Sequence, residues 1–257
     1  MNSDGIHQRL SKALEVAEAA SRFLLEHENL RTSITSKAVN DYVTAADKKC
    51  EELIEKNLSI AFPDDSFYGE ESGEKGDSQN CWIIDPIDGT VNFMCDFPDY
   101  TISIAFRDED GIQLGVVAVP RQKEVFYAVK GEGAFLNGSP IHTSENADLS
   151  KTLALLVPPH RRHEYLDEYM AKMRRFYDHI SDVRSIGSAA LSLCYVASGR
   201  CSMYYEIGLH TYDMAAGALI VEEAGGKVTL INPDPDFIEI AASGSSFHSK
   251  MLEIIND

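Results

Sequence analysis

An apolar segment, Trp82-Ile83-Ile84, runs directly into Asp85-Pro86-Ile87-Asp88-Gly89-Thr90. No other junction in the chain constrains its folding as much. The apolar run reads as a buried strand. Pro86 fixes one backbone angle, and Gly89 permits a tight turn. Two carboxylates three residues apart are thereby held at a strand end. Like charges so close raise each other's pKa and cost energy unless a cation sits between them. Oxygen-only ligands select a hard ion, Mg²⁺ or Mn²⁺. Taken alone, the same residues also read as an acidic surface turn.

Two further segments bring carboxylates to comparable places. Gly69-Glu70-Glu71-Ser72 follows the short apolar piece Phe67-Tyr68. Glu206 and Asp213 flank His210, and Asp213 opens a predicted helix, where a negative charge is favoured. Gly187-Ser188-Ala189-Ala190 opens another helix, whose free N–H groups suit an anion.

Periodicity supplies the frame. Ile6, Leu10, Leu14, Ala17, Ser21, Leu24 and Leu25 share one face and predict a helix over roughly Asp4 to Glu28. Thr44 and Asp47 resemble a capping box with Asp in the Glu/Gln position. The stripe Cys50, Leu53, Ile54, Leu58, Ala61 follows, and Pro63 stops it. From Phe67 to Ile141 short strands take over, with Thr101–Phe106, Gly115–Val119 and Glu124–Val129 the clearest. They predict an antiparallel sheet covered by the two helices. Beyond that, strands at Thr152–Val157, Ser202–Tyr205 and Lys227–Ile231 alternate with helices at Glu164–Tyr177, Ser188–Ser198 and Tyr212–Ala224. The expectation is an α+β lobe over 1–140 and an α/β lobe over 141–257, with the site between them.

The chain has 41 acidic and 23 basic residues, a net charge of -18. Such a surface repels nucleic acid and anionic membranes. It would also repel a phosphate, so a phosphate-handling site must reverse the local sign, which bound divalent cations do. No apolar run approaches the roughly 20 residues of a membrane span. Met1 to Leu10 lacks an apolar signal core, so a cytoplasmic location is expected. The five cysteines are odd in number and scattered, which argues against a disulfide framework or a zinc site.

Five stretches, in order, resemble the inositol monophosphatase family of lithium-sensitive, metal-dependent phosphatases. They are Gly69 to Ser72, Trp82 to Thr90 with Asn92-Phe93, Gly131 to Gly138, Arg184 to Ala190, and Tyr205 to Gly217. The resemblance implies a layered αβαβα sandwich, commonly a homodimer, acting on a small phosphate monoester through a metal-activated water. It implies two or three Mg²⁺, with Mn²⁺ a possible substitute. Glu70, Asp85 and the Ile87 carbonyl would hold the first metal; Asp85, Asp88 and Asp213 the second; Glu70 would help a third. Thr90 and Asp47 would orient the attacking water. Gly89 and Thr90 N–H groups would bind phosphate, and Glu206 with Gly187, Ser188 and Ala189 would contact the polyol.

The residues themselves agree with phosphoryl transfer, which needs charge neutralisation and positioning more than a covalent nucleophile. Neither a nucleophile elbow nor a P-loop is present. The chain departs from the family in Tyr212 before Asp213, Val91 after Thr90, and Asn232-Pro233-Asp234-Pro235-Asp236 in place of a glycine-containing loop. Lys37 reads as a surface lysine or as part of a loop near the site, and His210 as a packed histidine. His160-Arg161-Arg162-His163, a compact basic run, reads as a solvated helix start. Inositol monophosphate leads the substrates. Fructose 1,6-bisphosphate, histidinol phosphate and 3′-phosphoadenosine 5′-phosphate are the alternatives, and a partner-binding protein with incidental activity is the competing class.

Overall fold

A computed structural model describes residues 3–38, 41–145, 148–234 and 237–256. The first helix, α1 (Ser3–Glu26), and a small antiparallel pair, β1 (Ile34–Ala38) and β2 (Asp41–Thr44), lead into α2 (Ala45–Ala61). Thr44 caps α2 as its spacing predicts. Its Oγ1 accepts from Ala46 N at 3.1 Å, and its own N–H donates to Asp47 Oδ2 at 2.8 Å.

An eight-stranded sheet follows, built from β3 (Ser66–Gly69), β4 (Gly73–Lys75), β5 (Cys81–Asp88), β6 (Thr101–Asp108), β7 (Gly111–Val119), β8 (Glu124–Val129), β9 (Ala134–Leu136) and β10 (Ser139–Ile141), with the short helix α3 (Thr90–Met94) after β5. Its order is β10-β9-β8-β7-β6-β5-β3-β4. The expectation of an antiparallel sheet needs one correction: β3 pairs parallel with β5. That pairing sets Gly69 opposite Ile84, so Glu70, just past the end of β3, follows on beside Asp85 of β5.

The second sheet contains β11 (Leu153–Val157), β12 (Asp182–Arg184), β13 (Met203–Leu209), β14 (Gly226–Asp234) and β15 (Phe237–Gly244), in the order β12-β11-β13-β15-β14. Its helices are α4 (Leu166–Tyr177), α5 (Ala189–Ala197), α6 (Thr211–Glu223) and α7 (His248–Asn256). β11 runs parallel to both its neighbours, β12 and β13.

Alternation along the strands builds the layers. Trp82 and Ile84 pack with Ala13, Ala17, Ile54 and Leu58 of α1 and α2. Ile83, one residue out of phase, faces the opposite side and joins Leu193 of α5 and Ile220 of α6. The same core takes in Tyr204 and Ile240 of the second sheet, so α5 and α6 lie between the two sheets. Sheets on both sides explain why most residues of these two helices are apolar and buried. Met203 and Tyr205 point the other way, onto α4 and α7. The result is the αβαβα sandwich.

Candidate active site

In a regular strand, residues three apart point to opposite faces. Asp85 and Asp88 would then diverge. The β5–β6 register slips between them: Asp85 lies opposite Ser103 but Asp88 opposite Thr101. This bulge re-aims the strand end and brings both carboxylates to one place. Asp213, third in α6, completes the group. Carboxylate oxygens of Asp85, Asp88 and Asp213 all lie within 4.8 Å of one another, and all three residues are buried.

The three are held in different ways. Asp85 Oδ1 accepts from Ile87 N at 3.0 Å. Asp213 Oδ2 accepts from His210 N at 2.6 Å, which fixes it at the helix start, and the His210 ring stacks on Tyr212. Asp88 reaches across the layers and caps α5. It accepts from Ser188 Oγ at 2.5 Å, Ala190 N at 2.8 Å, Ala189 N at 3.2 Å and Thr101 Oγ1 at 3.3 Å. The N–H groups at the start of α5, which suit an anion, thus already hold this carboxylate.

Their electrostatics differ accordingly. Burial, then Glu70, Asp88 and Asp213, push the Asp85 carboxyl well above the usual carboxylate range. Burial also raises Asp88, opposed by Ser188, Ala190, Ala189 and Thr101. A buried all-oxygen cluster of this kind needs a counter-charge, and a hard divalent cation fits its donors.

Beside the cluster, Thr90 Oγ1 lies 3.1 Å from both Asp47 Oδ1 and the Ile87 carbonyl, to which it donates. Asp47 is fully buried, which raises its pKa. Gly89 adopts φ 93°, a left-handed conformation, to start α3. Asn92 Nδ2 donates to Asp99 O at 2.6 Å and Ile186 O at 2.8 Å, tying this turn to the approach to α5.

A cavity of about 400 Å³ opens here. Of the residues expected from sequence, it is lined by Asp88, Gly89, Thr90, Gly187, Ala189, Glu206 and Asp213. Asp47, Glu70, Asp85, Ile87 and Ser188 do not line it. Ser188 turns its hydroxyl to Asp88 instead. Glu206 is buried and accepts from Tyr204 Oη at 2.5 Å. Its carboxyl is pushed up to about 8, first by burial and then by Asp213 and Asp88, against the lowering effect of Tyr204 and Arg161.

Sequence reasoning missed three contributors. Glu51 is buried and accepts from Glu71 N at 2.9 Å, and its carboxylate lies 2.6 Å from where a Gly69 Cβ would stand. Only a glycine at 69 leaves room for it. The signal was present, since Glu51 shares the buried helical face of Asp47, Ile54 and Leu58. Tyr204 was hidden in a Tyr-Tyr pair whose members face opposite layers. The basic run at 160–163 is the third. Rather than only starting a helix, it places His160, Arg161 and Arg162 along the cavity. The side chain of Lys37, and Pro235 and Asp236 of the divergent loop, lie outside the described residues.

A model of the inositol monophosphatase family matches residues 6–255. A Pasteurella multocida protein named Nus factor SuhB is 39% identical over 251 residues, spanning 96% of this chain and 94% of that one. A Mesorhizobium japonicum inositol-1-monophosphatase is 37% identical over 229 residues, spanning 88% and 85%. Among solved structures, the Bartonella henselae extragenic suppressor protein SuhB superposes with a TM-score of 0.92 at 33% identity, over 97% of this chain and 99% of that one. An inositol monophosphatase from Anabaena gives 0.86 at 32%, over 98% and 96%. The chain belongs to the inositol monophosphatase family of metal-dependent phosphatases.

Proposed function

We propose that this chain hydrolyses a small polyol phosphate with Mg²⁺, inositol monophosphate being the reference substrate. The observation that carries this reading is the meeting of Asp85, Asp88 and Asp213 beside the Thr90–Asp47 pair, on a cavity sized for a small molecule. In this reading Glu70, Asp85, the Ile87 carbonyl, Asp88 and Asp213 hold the metal. When bound, Mg²⁺ supplies charge neutralisation for phosphate and leaving oxygen and lowers the pKa of water. Thr90, with its proton directed at Asp47 and the Ile87 carbonyl, keeps lone pairs for a water's hydrogen bond and so orients it. Gly89 and Thr90 N–H groups hold the phosphate, and Glu206 with the 187–189 segment positions the alcohol. Fructose 1,6-bisphosphate, histidinol phosphate and 3′-phosphoadenosine 5′-phosphate remain the alternative substrates.

A phosphate-release panel over these compounds tests it. Turnover is expected with Mg²⁺ and none in excess EDTA. Full turnover under EDTA would reject the assignment. Lithium is expected to slow the reaction relative to NaCl at equal ionic strength, as the family resemblance implies. Equal rates in the two salts would contradict that expectation and leave the fold untouched.

A second reading takes its support from the relatives named Nus factor SuhB: a surface that binds a partner, with or without catalysis. A chain that binds such a partner but turns over nothing in the panel would favour it.

A further inference from the structure

Asp47, Glu51 and Glu55 stand four residues apart on α2 and so share one helical face. Like charges at that spacing weaken a helix. Each of the three is engaged outside it. Asp47 Oδ1 accepts from Thr90 Oγ1 at 3.1 Å. Glu51 Oε2 accepts from Glu71 N at 2.9 Å. Glu55 accepts from Ser72 Oγ at 2.9 Å and from Lys75 Nζ at 2.6 Å. The row therefore grips the β5–α3 turn, beside Asp85 and Asp88, and the β3–β4 hairpin, which carries Glu70.

Glu51 grips where it bears on Glu70. A residue's backbone has two soft angles, φ and ψ, set by the peptide planes on either side. The plane before the Glu70 Cα is held by the Glu70 N–H, which donates to the Ile84 carbonyl of β5 at 3.0 Å. The plane after it is held by the Glu71 N–H, which donates to Glu51. With both planes fixed, the direction of the Glu70 side chain is fixed too, toward Asp85, with which it shares a hydrogen bond. Gly69 makes room for this. Its φ is not left-handed, so its backbone would tolerate alanine. What excludes a Cβ is the Glu51 carboxylate, whose three atoms would lie 2.6 to 2.7 Å from it. Glu51 itself does not line the cavity.

We propose that Glu51 is a positioning residue for the metal: through the Glu71 N–H it fixes the direction of Glu70. This inference rests on the phosphatase reading and goes beyond it by giving a role to a buried carboxylate that holds no metal.

The test measures Mg²⁺ binding by calorimetry and by the rise in Tm with added Mg²⁺, beside Mg²⁺ titrations of rate. Glu51→Ala is expected to raise the Mg²⁺ midpoint by about tenfold in all three, with substrate KM at saturating Mg²⁺ within about twofold of wild type. Glu51→Gln keeps an accepting oxygen and should recover part of the loss. Glu55→Ala loosens the same hairpin without freeing either plane beside Glu70, and should leave the midpoint in place. Gly69→Ala should push the Glu51 carboxylate aside and raise the midpoint as Glu51→Ala does. Together the two should do no more than either alone. An unchanged midpoint in Glu51→Ala, with only Tm lowered, overturns the proposal. Equal shifts in Glu51→Ala and Glu55→Ala overturn it too, since general loosening would then suffice. If Glu51→Ala does not fold, Gly69→Ala decides alone, and a wild-type midpoint there overturns the proposal. Mg²⁺ binding with the expected shifts but no turnover overturns the phosphatase reading and leaves the positioning role standing. No Mg²⁺ binding by the wild type overturns both.

Discussion

Asp85→Asn is expected to lower turnover by about 10²- to 10³-fold or more and yet to raise the melting temperature of the metal-free protein. Both effects follow from the same position. Asp85 is buried, and Glu70, Asp88 and Asp213 all raise its pKa, so its negative charge is unfavourable until a cation arrives. Removing that charge relieves its neighbours and removes the proposed central ligand of the metal. Its hydrogen bond from Ile87 N survives because an amide oxygen still accepts. Asp88→Asn should lose turnover to a similar degree but behave oppositely in stability. Both Asp88 oxygens accept from α5, and an amide NH₂ would face a donor on one side. One unsatisfied buried group costs about 1–3 kcal/mol. A few degrees should therefore separate the two variants, with wild type between them. Thermal melts in EDTA and Mg²⁺ titrations of rate decide this. A metal-free Asp88→Asn protein that melts above Asp85→Asn would show that the α5 cap contributes little. Normal turnover in either variant would remove the metal assignment.

Between pH about 4.5 and 8, the metal-free protein is expected to lose stability as pH rises. Glu206 sets this window: its ordinary pKa is 4.5, and in the folded chain it is about 8. Across that range the folded state keeps a proton that the unfolded chain has released. Stability is then full below the unfolded pKa and is lost as pH climbs through the folded one. Asp47, Glu51, Asp85 and Asp88 shift in the same direction and add to the slope. The Glu206 share is on the order of 5 kcal/mol across the window. Glu206→Gln should flatten the profile and melt higher than wild type at pH 8, since its amide oxygen still accepts from Tyr204. Mg²⁺ should shrink the slope further, because a cation favours the ionised carboxylates. The same variant should change preference among substrates more than it changes the Mg²⁺ midpoint. Melting curves at pH 5, 6.5 and 8 are the check. A wild-type profile that is flat or rises with pH would refute this account, and a large Mg²⁺ shift in Glu206→Gln would make Glu206 a metal ligand.

What could be read from the chain were the features encoded locally. The apolar run before Asp85, the cap at Thr44 and the helix opening at Asp213 are all short-range patterns, and all stand where they were expected. The layered order of those pieces came through family resemblance, because period alone does not say which face meets which sheet. Three features lay beyond both. The slip between Asp85 and Asp88 is a property of pairing with β6, and neither residue type announces it. The parallel β3–β5 pairing that sets Glu70 beside Asp85 depends on a register formed across an intervening strand. β15 is not among the expected strands, and it carries Glu239 within an otherwise apolar stretch. In the folded chain Lys172 Nζ and Tyr205 Oη reach that carboxylate at 2.7 and 2.6 Å, so it is buried at little cost.

The cap that Asp88 places on α5 also bears on how descent in this fold should be judged. A lineage that abandoned catalysis would be free to replace Asp85, whose charge serves nothing else, and would gain stability by doing so. It would still need Asp88, because the start of α5 depends on that carboxylate. An intact Asp88 in a relative is therefore weak testimony that the relative is an enzyme. Asp85 makes no such helix cap, so an aspartate there says more than one at 88, and this chain carries both.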